Sequence, residues 1–156
     1  LSHPLDYLRW LFGDAAEVGS MYRSIPSLGI DTEAAAQIHI RFQNEVIANV
    51  HVNYIQRPAK HTLEVIGDLG TLLWDNADGK VQWLNGQDDS QQIFEPFAGF
   101  ERNDLFLAEM RNFIAYIQGK QAAVCSLDDG VQAQILVEAV HRSNKEKRLV
   151  QLKSKN

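Results

Sequence analysis

Cysteine and basic charge are both scarce in this sequence, and each scarcity excludes something. With Cys125 as the only cysteine, no intrachain disulfide can form, and a reducing cytoplasm is the expected setting. Beside Ser126 at a predicted helix start the thiol has a route to reactivity, but a buried or idle thiol is the plainer reading. Lys and Arg number 15 against 20 Asp and Glu, a net charge of -5, which argues against nucleic acid as a partner because phosphate binding draws on clustered cations. The basic residues that do cluster, Lys145, Lys147, Arg148, Lys153 and Lys155, are interrupted by Glu146 and read as a solvated tail. No apolar run approaches the roughly 20 residues of a membrane span, and no charged-then-apolar leader opens the sequence. The expectation is a protein with no membrane partner. Catalytic signatures are missing too: there is no Ser/His/Asp set, CxxC pair, H-E-x-x-H or glycine-rich strand-to-helix turn.

What is present suits one globular domain spanning 1–156, since a chain of this length buries roughly 70% of its unfolded surface without staples. The first stretch, Ser2 to Gly13, places Leu5, Leu8, Leu11 and Phe12 on one side at helical spacing. Ser2 is the expected cap, Pro4 suits the first turn and Gly13 the stop. His3 stands at that helix start, where the partial positive charge favours a neutral imidazole able to accept a proton. By spacing alone, the preferred reading of His3 is a residue that helps satisfy the helix end.

A loosely alternating strand over Glu17 to Ile25 follows, ended by Pro26. Clear alternation then begins: Ala34, Ala36, Ile38, Ile40 and Phe42 share one face, Gln43-Asn44-Glu45 turns the chain, and Val46, Ala48, Val50, Val52 and Tyr54 return. The second face of this long antiparallel hairpin carries Gln37, His39, Arg41, Asn49, His51 and Asn53. It is polar without a recognisable metal-ligand spacing, and is expected to meet water or a partner chain. Further short strands are predicted over 61–66, 71–75, 80–84 and 91–95, with a last one near Leu149 to Leu152. Gly67 and Gly70 lack the G-x-G-x-x-G pattern and have strands on both sides, so they form no phosphate cradle.

From Arg102 the period becomes helical. Leu105, Phe106, Met110, Phe113, Ile114 and Ile117 predict a core-facing helix with Asn103 or Asp104 as cap and Gly119 as stop. Ser126-Leu127-Asp128-Asp129 opens a last helix as a capping box, with Val131, Ile135, Leu136, Ala139 and Val140 as its stripe and His141 and Arg142 in its last turns. The expected fold class is α+β: one large, mostly antiparallel, open-faced sheet with a few helices packed on one face. The uncovered face predicts a homo-oligomer joined through it.

Where the hairpin ends, Asn53, Tyr54, Gln56 and Arg57 offer polar groups at a strand end, a position from which rigid elements hold loop side chains. Arg57 has the fork to clamp a carboxylate or phosphate, although a surface ion pair is the plainer reading. On residues alone, a non-enzymatic α+β module that dimerises or binds a small ligand stands beside an enzyme.

The opening S-H-P-L-D-Y-L-R-W-L-F-G resembles the H-x-x-D-x-x-R-x-L-F/L-G helix that begins the C-terminal half of the Gfo/Idh/MocA family of nicotinamide-dependent oxidoreductases. The later pieces F-Q-N-E-V-I-A-N-V, L-E-V-I-G-D-L-G-T-L-L-W-D, R-N-D-L-F-L-A-E-M-R-N-F-I and S-L-D-D-G-V-Q-A-Q-I-L-V-E-A-V-H-R-S are similar to that family's run of strand, G-x-x-G-T turn and two helices, in order. The resemblance implies an enzyme of two domains. An N-terminal Rossmann domain, absent from this chain, would hold NAD or NADP and carry the dinucleotide glycines and the E-K-P lysine. This C-terminal domain would supply the substrate wall and the oligomer interface, and would by itself be inactive and bind no cofactor. His3 aligns with the family's catalytic histidine; many members carry an Asp four residues before it, a position ahead of Leu1. The implied substrate is a small molecule, a secondary alcohol or ketone of a sugar, polyol or nucleotide-linked sugar.

Overall fold

The computed structural model describes residues 1–30 and 32–152; Lys153 and Lys155 of the basic tail lie outside the described residues. The elements in order are α1 (Ser2–Phe12), β1 (Ala15–Arg23), β2 (Ala35–Phe42), β3 (Ile47–Asn53), β4 (Thr62–Gly67), β5 (Gly70–Asp75), β6 (Val81–Asn85), β7 (Gln91–Phe94), α2 (Asn103–Ile117), α3 (Leu127–Glu146) and β8 (Val150–Gln151). The class is α+β, and the strand pairings are antiparallel. The strands expected in one large sheet form two four-stranded sheets, β3-β2-β1-β8 and β4-β5-β6-β7. The break falls after β3, where Arg57-Pro58 interrupts the run and Pro58 has no N–H to give a ladder.

The chain separates into two compact units. The first comprises residues 1–55 with the chain from 123 onward, and the second comprises 56–122. In the first unit the alternation of β2 is realised directly: Ala36, Ile38, Ile40 and Phe42 are buried, with Val18 of β1, Val50 of β3 and Val150 of β8 on the same side. Register explains the shared face, since Val18 lies opposite Ile40 and Ile38 opposite Val50. Against this layer pack Leu5 and Leu8 of α1 and Ala133, Leu136, Val137, Ala139 and Val140 of α3. Each large side chain so buried contributes about 1.5–3 kcal/mol relative to exposure.

β8 is only two residues long and pairs with Glu17 and Val18. Further along β1, the edge N–H groups meet side chains of α3. Ser20 N donates to Ser143 Oγ at 2.9 Å, and Tyr22 N donates to Asn144 Oδ1 at 2.9 Å. Ser143 Oγ in turn donates to Arg148 O at 2.7 Å, so this buried hydroxyl closes the helix end as well as the sheet edge. His141 sits edge-on to Tyr22, with its Nδ1 3.3 Å from the phenol oxygen.

The helix ends differ in detail from the sequence reading. Ser2 lies inside α1 and makes no capping bond; Leu1 holds the cap position. Arg102, not Asn103 or Asp104, precedes α2, and Asp104 instead accepts from Glu101 N at 2.9 Å. The capping box of α3 forms as expected, Ser126 and Asp129 bonding reciprocally. Leu11, expected on the apolar side of α1, is 45% exposed, because the buried line runs through Leu5 and Leu8 and leaves position 11 beyond its edge.

In the second unit β4 and β5 meet at a tight turn in which Gly67 opposes Gly70. Gly70 has φ 144°, and a Cβ there would lie 2.0 Å from Leu84 O, so only glycine fits. The expectation that α2 faces a core does not hold: none of its residues is buried, and Phe106, Met110 and Phe113 are each more than half exposed. Among the described residues no helix is long and apolar enough to cross a membrane.

Candidate functional site

His3 is exposed on the first turn of α1. The helix beneath it is held on two levels. Leu5 and Leu8 are buried, and Phe12 lies against Phe42 of β2 with ring centroids 5.6 Å apart. Arg9 then donates from Nε to Asp14 Oδ1 at 2.8 Å and from Nη1 to Asp129 Oδ1 at 3.1 Å, tying α1 both to the turn after it and to the start of α3. A planar guanidinium can serve two carboxylates at fixed angles, so Arg9 limits rotation of α1 about its axis. Tyr7 is half-buried on this helix, and burial raises its phenol above the ordinary value.

The carboxyl of Asp129 is lowered to about 2, first by the Ser126 hydroxyl, then by the Ser126 backbone N–H, and then by Arg9, against an opposing effect of burial. Four contacts converge on this residue: Ser126 Oγ and N on Oδ2 at 2.7 and 2.9 Å, Arg9 on Oδ1, and its own N on Ser126 Oγ at 3.2 Å. Its role in this structure is to anchor helices.

Of the hairpin-end residues, Asn53 and Tyr54 are at the far end of the β1-β2-β3 ladder from the point where α1 enters it. Chain passes from α1 into β1 at Ala15, opposite Phe42, whereas Asn53 lies opposite Ala35, which lies opposite Arg23. Asn53 Oδ1 accepts from Ile55 N at 3.0 Å, and Tyr54 N donates to Ala34 O at 3.0 Å. Tyr54 is 60% exposed. Gln56 and Arg57 follow in the second unit, where Arg57 Nη1 donates to Gln56 O at 2.8 Å. Asn53 and Tyr54 are thus adjacent at one strand end, and His3 stands on a separate element.

The outward face of β2 and β3 carries the polar set read from the sequence. The His51 ring lies between two amides, Nδ1 2.7 Å from Gln37 Nε2 and Nε2 2.8 Å from Asn53 Nδ2, and His39 Nδ1 is 2.6 Å from Asn49 Oδ1. Arg41 donates from Nε to Glu17 Oε1 at 3.0 Å, and this pairing, followed by a bond from Gln151, lowers the Glu17 carboxyl. Met21 and Ile47 on the same face are 75% and 70% exposed. Among the described residues no group of three or more His, Cys, Asp or Glu could hold a metal ion.

A cavity of about 330 Å³ on the second sheet is lined by Thr62, Glu64, Leu73, Asp75, Lys80 and Gln82, among others, and contains none of the expected site residues. Two of its charged groups have structural partners: Asp75 Oδ1 accepts from Ala77 N at 2.8 Å, and Lys80 pairs with Glu95 at 2.8 Å.

Sequence reasoning did not single out Trp10, which is 81% exposed. The signal was present as a spacing, because seven residues return almost to the same meridian of an α-helix and Trp10 is seven after His3. No strand, glycine-rich turn and helix N-terminus occur together among the described residues, since Gly67 and Gly70 close a hairpin between two strands. The residues present therefore do not form a dinucleotide cradle.

An α+β chain with antiparallel sheets and a histidine on its first helix is the class that this architecture defines. The chain belongs to the Gfo/Idh/MocA oxidoreductase family: the family's C-terminal alpha/beta domain matches residues 1–152. No curated protein matches it. Among solved structures, it is similar to levoglucosan dehydrogenase in complex with NADH and levoglucosan, at 18% identity and TM-score 0.87, covering 99% of this chain and 49% of that one. It is also similar to the WlbA dehydrogenase from Bordetella pertussis in complex with NADH and UDP-GlcNAcA, at 18% identity and TM-score 0.76, covering 99% of this chain and 44% of that one. A third is an oxidoreductase from Agrobacterium radiobacter in complex with NAD+, L-tartaric acid and magnesium, at 21% identity and TM-score 0.80, covering 96% and 47% of the two chains. At these identities the likeness is one of fold. The chain spans about half the length of the solved structures it resembles.

Proposed function

We propose that this chain is the substrate-binding and oligomerisation domain of a cytoplasmic, nicotinamide-dependent dehydrogenase that interconverts a secondary alcohol and a ketone on a sugar, polyol or nucleotide-linked sugar. Its two units act as one C-terminal domain. The observation that carries the reading is His3, exposed on the first turn of a helix whose opposite side is fixed by Leu5, Leu8 and Arg9. A general acid–base needs a fixed element beneath it and must remain open to the reacting hydroxyl; the anchored helix supplies the first and the exposure of His3 the second.

In this reading His3 takes the hydroxyl proton on oxidation and returns it on reduction. Asn53, Tyr54, Gln56 and Arg57 bind the substrate. NAD or NADP supplies the hydride chemistry from an N-terminal Rossmann partner domain, because the described residues form no cradle for it. In the same reading the chain alone is inactive and binds no cofactor. The outward face of β2 and β3 joins copies of the protein into a homo-oligomer. The complexes of similar structures with NADH, levoglucosan and UDP-GlcNAcA support the substrate class.

The test is an absorbance assay of NAD(P)H with the full-length protein over a broad panel of sugars, polyols and nucleotide-sugars. Turnover of at least one secondary alcohol or ketone is expected. Absence of turnover across the panel would favour the non-enzymatic binding or dimerisation module instead. Light scattering should give a dimer or larger, and a strict monomer would remove the oligomer role.

A further inference from the structure

His3 and Trp10 lie on one line of α1. Seven residues advance about 700°, so the two side chains leave the helix within roughly 20° of each other and about 10.5 Å apart along its axis. That line is opposite the buried one through Leu5 and Leu8. Trp10 is 81% exposed, and Leu11 beside it is 45% exposed. The helix cannot roll to bury the indole, because Arg9 holds Asp14 and Asp129 at fixed directions while Leu5 and Leu8 occupy the core.

We infer that Trp10, with Leu11, is the apolar anchor on which the nucleotide-binding domain of the intact enzyme docks. The inference rests on the acid–base reading of His3. If His3 serves a nicotinamide, the domain that brings the cofactor must reach the exposed line of α1. An interdomain contact of 600–1,500 Å² in total is roughly 20–30 Å across on each side, so a footprint reaching His3 is wide enough to include a point about 10.5 Å along the same line. Around His3 lie Ser2, which is exposed, and Pro4, Asp6 and Tyr7, which are partly exposed; the exposed large apolar side chains of α1 are Trp10 and Leu11. Aromatic side chains sealed from water at the centre of such contacts carry a large share of the binding energy. The solved structures that this chain resembles are about twice its length, which leaves room for a domain of that size. A monosaccharide or polyol with its reacting carbon at His3 is shorter than the span to Trp10; a nucleotide-linked sugar is long enough to reach it and is the rival occupant that the sugar-dependence of the test separates.

The test is hydroxyl-radical footprinting of the full-length protein, read at Trp10 by mass spectrometry and referenced to the same residue in the denatured protein. Slowing of oxidation by about fivefold or more is expected without added sugar and at every protein concentration. Trp10 oxidised as fast as in the denatured chain would overturn the proposal. Protection that disappears on dilution to a smaller oligomer would assign the anchor to a second copy, and protection that requires a sugar would assign it to the substrate; either result also overturns the proposal. The NAD(P)H assay is read separately. Protection without turnover would leave the docking surface standing and remove the dehydrogenase reading, whereas turnover with an unprotected Trp10 would do the reverse.

Discussion

Arg9 Nη1 donates to Asp129 Oδ1 at 3.1 Å, joining the first helix to the start of the last across 120 positions of sequence. The pair makes the stability of α1, and with it the placement of His3, sensitive to acid. The Asp129 carboxyl is held at about 2, chiefly by Ser126 and then by Arg9, below the unfolded value of about 3.9. A carboxyl lowered by folding contributes stability in full above its unfolded value and loses it as pH falls through the folded one. Melting temperatures of the native protein and Asp129→Asn, compared from pH 5 down to pH 2, should therefore differ most at the upper end and converge at the lower. A constant difference would show that Asp129 acts by shape alone.

Ser143 of α3 links β1 to the turn after α3, taking the N–H of Ser20 and giving its own proton to Arg148 O while only 1% exposed. Ser143→Ala leaves a sheet-edge donor and a helix-end acceptor unpaired, a loss of about 1–3 kcal/mol in urea unfolding. Ser143→Thr keeps the hydroxyl and should recover part of it. An alanine variant as stable as the native protein would mean that water replaces the hydroxyl at no cost.

Gly70→Ala should destabilise the second unit by about 2 kcal/mol or more, since its φ of 144° and the 2.0 Å approach of a Cβ to Leu84 O cannot both be relieved. The control is Gly130→Ala on α3, where a Cβ meets nothing within 4 Å and helix propensity favours alanine by about 0.8–1 kcal/mol. The two substitutions should move the unfolding midpoint in opposite directions.

Ile38→Ala, at a site with no exposure, should cost about 2–5 kcal/mol, while Phe113→Ala, at 56% exposure, should cost under about 1 kcal/mol in this chain. The contrast marks what the sequence can and cannot convey. Alternation over 34–42 identified the buried face of β2 because the layer covering it, α1 and α3, is part of the same chain. The stripe from Leu105 to Ile117 is just as periodic, but periodicity records only that a face is apolar, not which surface covers it. The capping box at Ser126 was legible because it is local, within four residues. The clamp of Arg9 on Asp129 was not, because no short-range pattern joins positions 120 apart. The division into two sheets was hidden for a similar reason: short alternating strands specify pairing with the next strand, and the break after Asn53 had only Pro58 to announce it. His3 needed the resemblance to stand out, whereas Trp10 needed the structure to show its exposure.

His3→Ala tests the chemical proposal without endangering the fold. His3 is exposed and its helix is held by Leu5, Leu8 and Arg9, so the substitution should change stability by no more than about 0.5 kcal/mol. Loss of a positioned acid–base typically costs about 10²–10⁴-fold in rate. In the full-length enzyme kcat should therefore fall by about that factor while the melting temperature stays put. Asn53→Ala should act in the other direction, raising KM more than it lowers kcat, if Asn53 binds substrate without taking part in proton transfer. A His3→Ala enzyme with undiminished kcat would remove the histidine from the chemistry, and equal kcat losses in both variants would place Asn53 in the transition state as well.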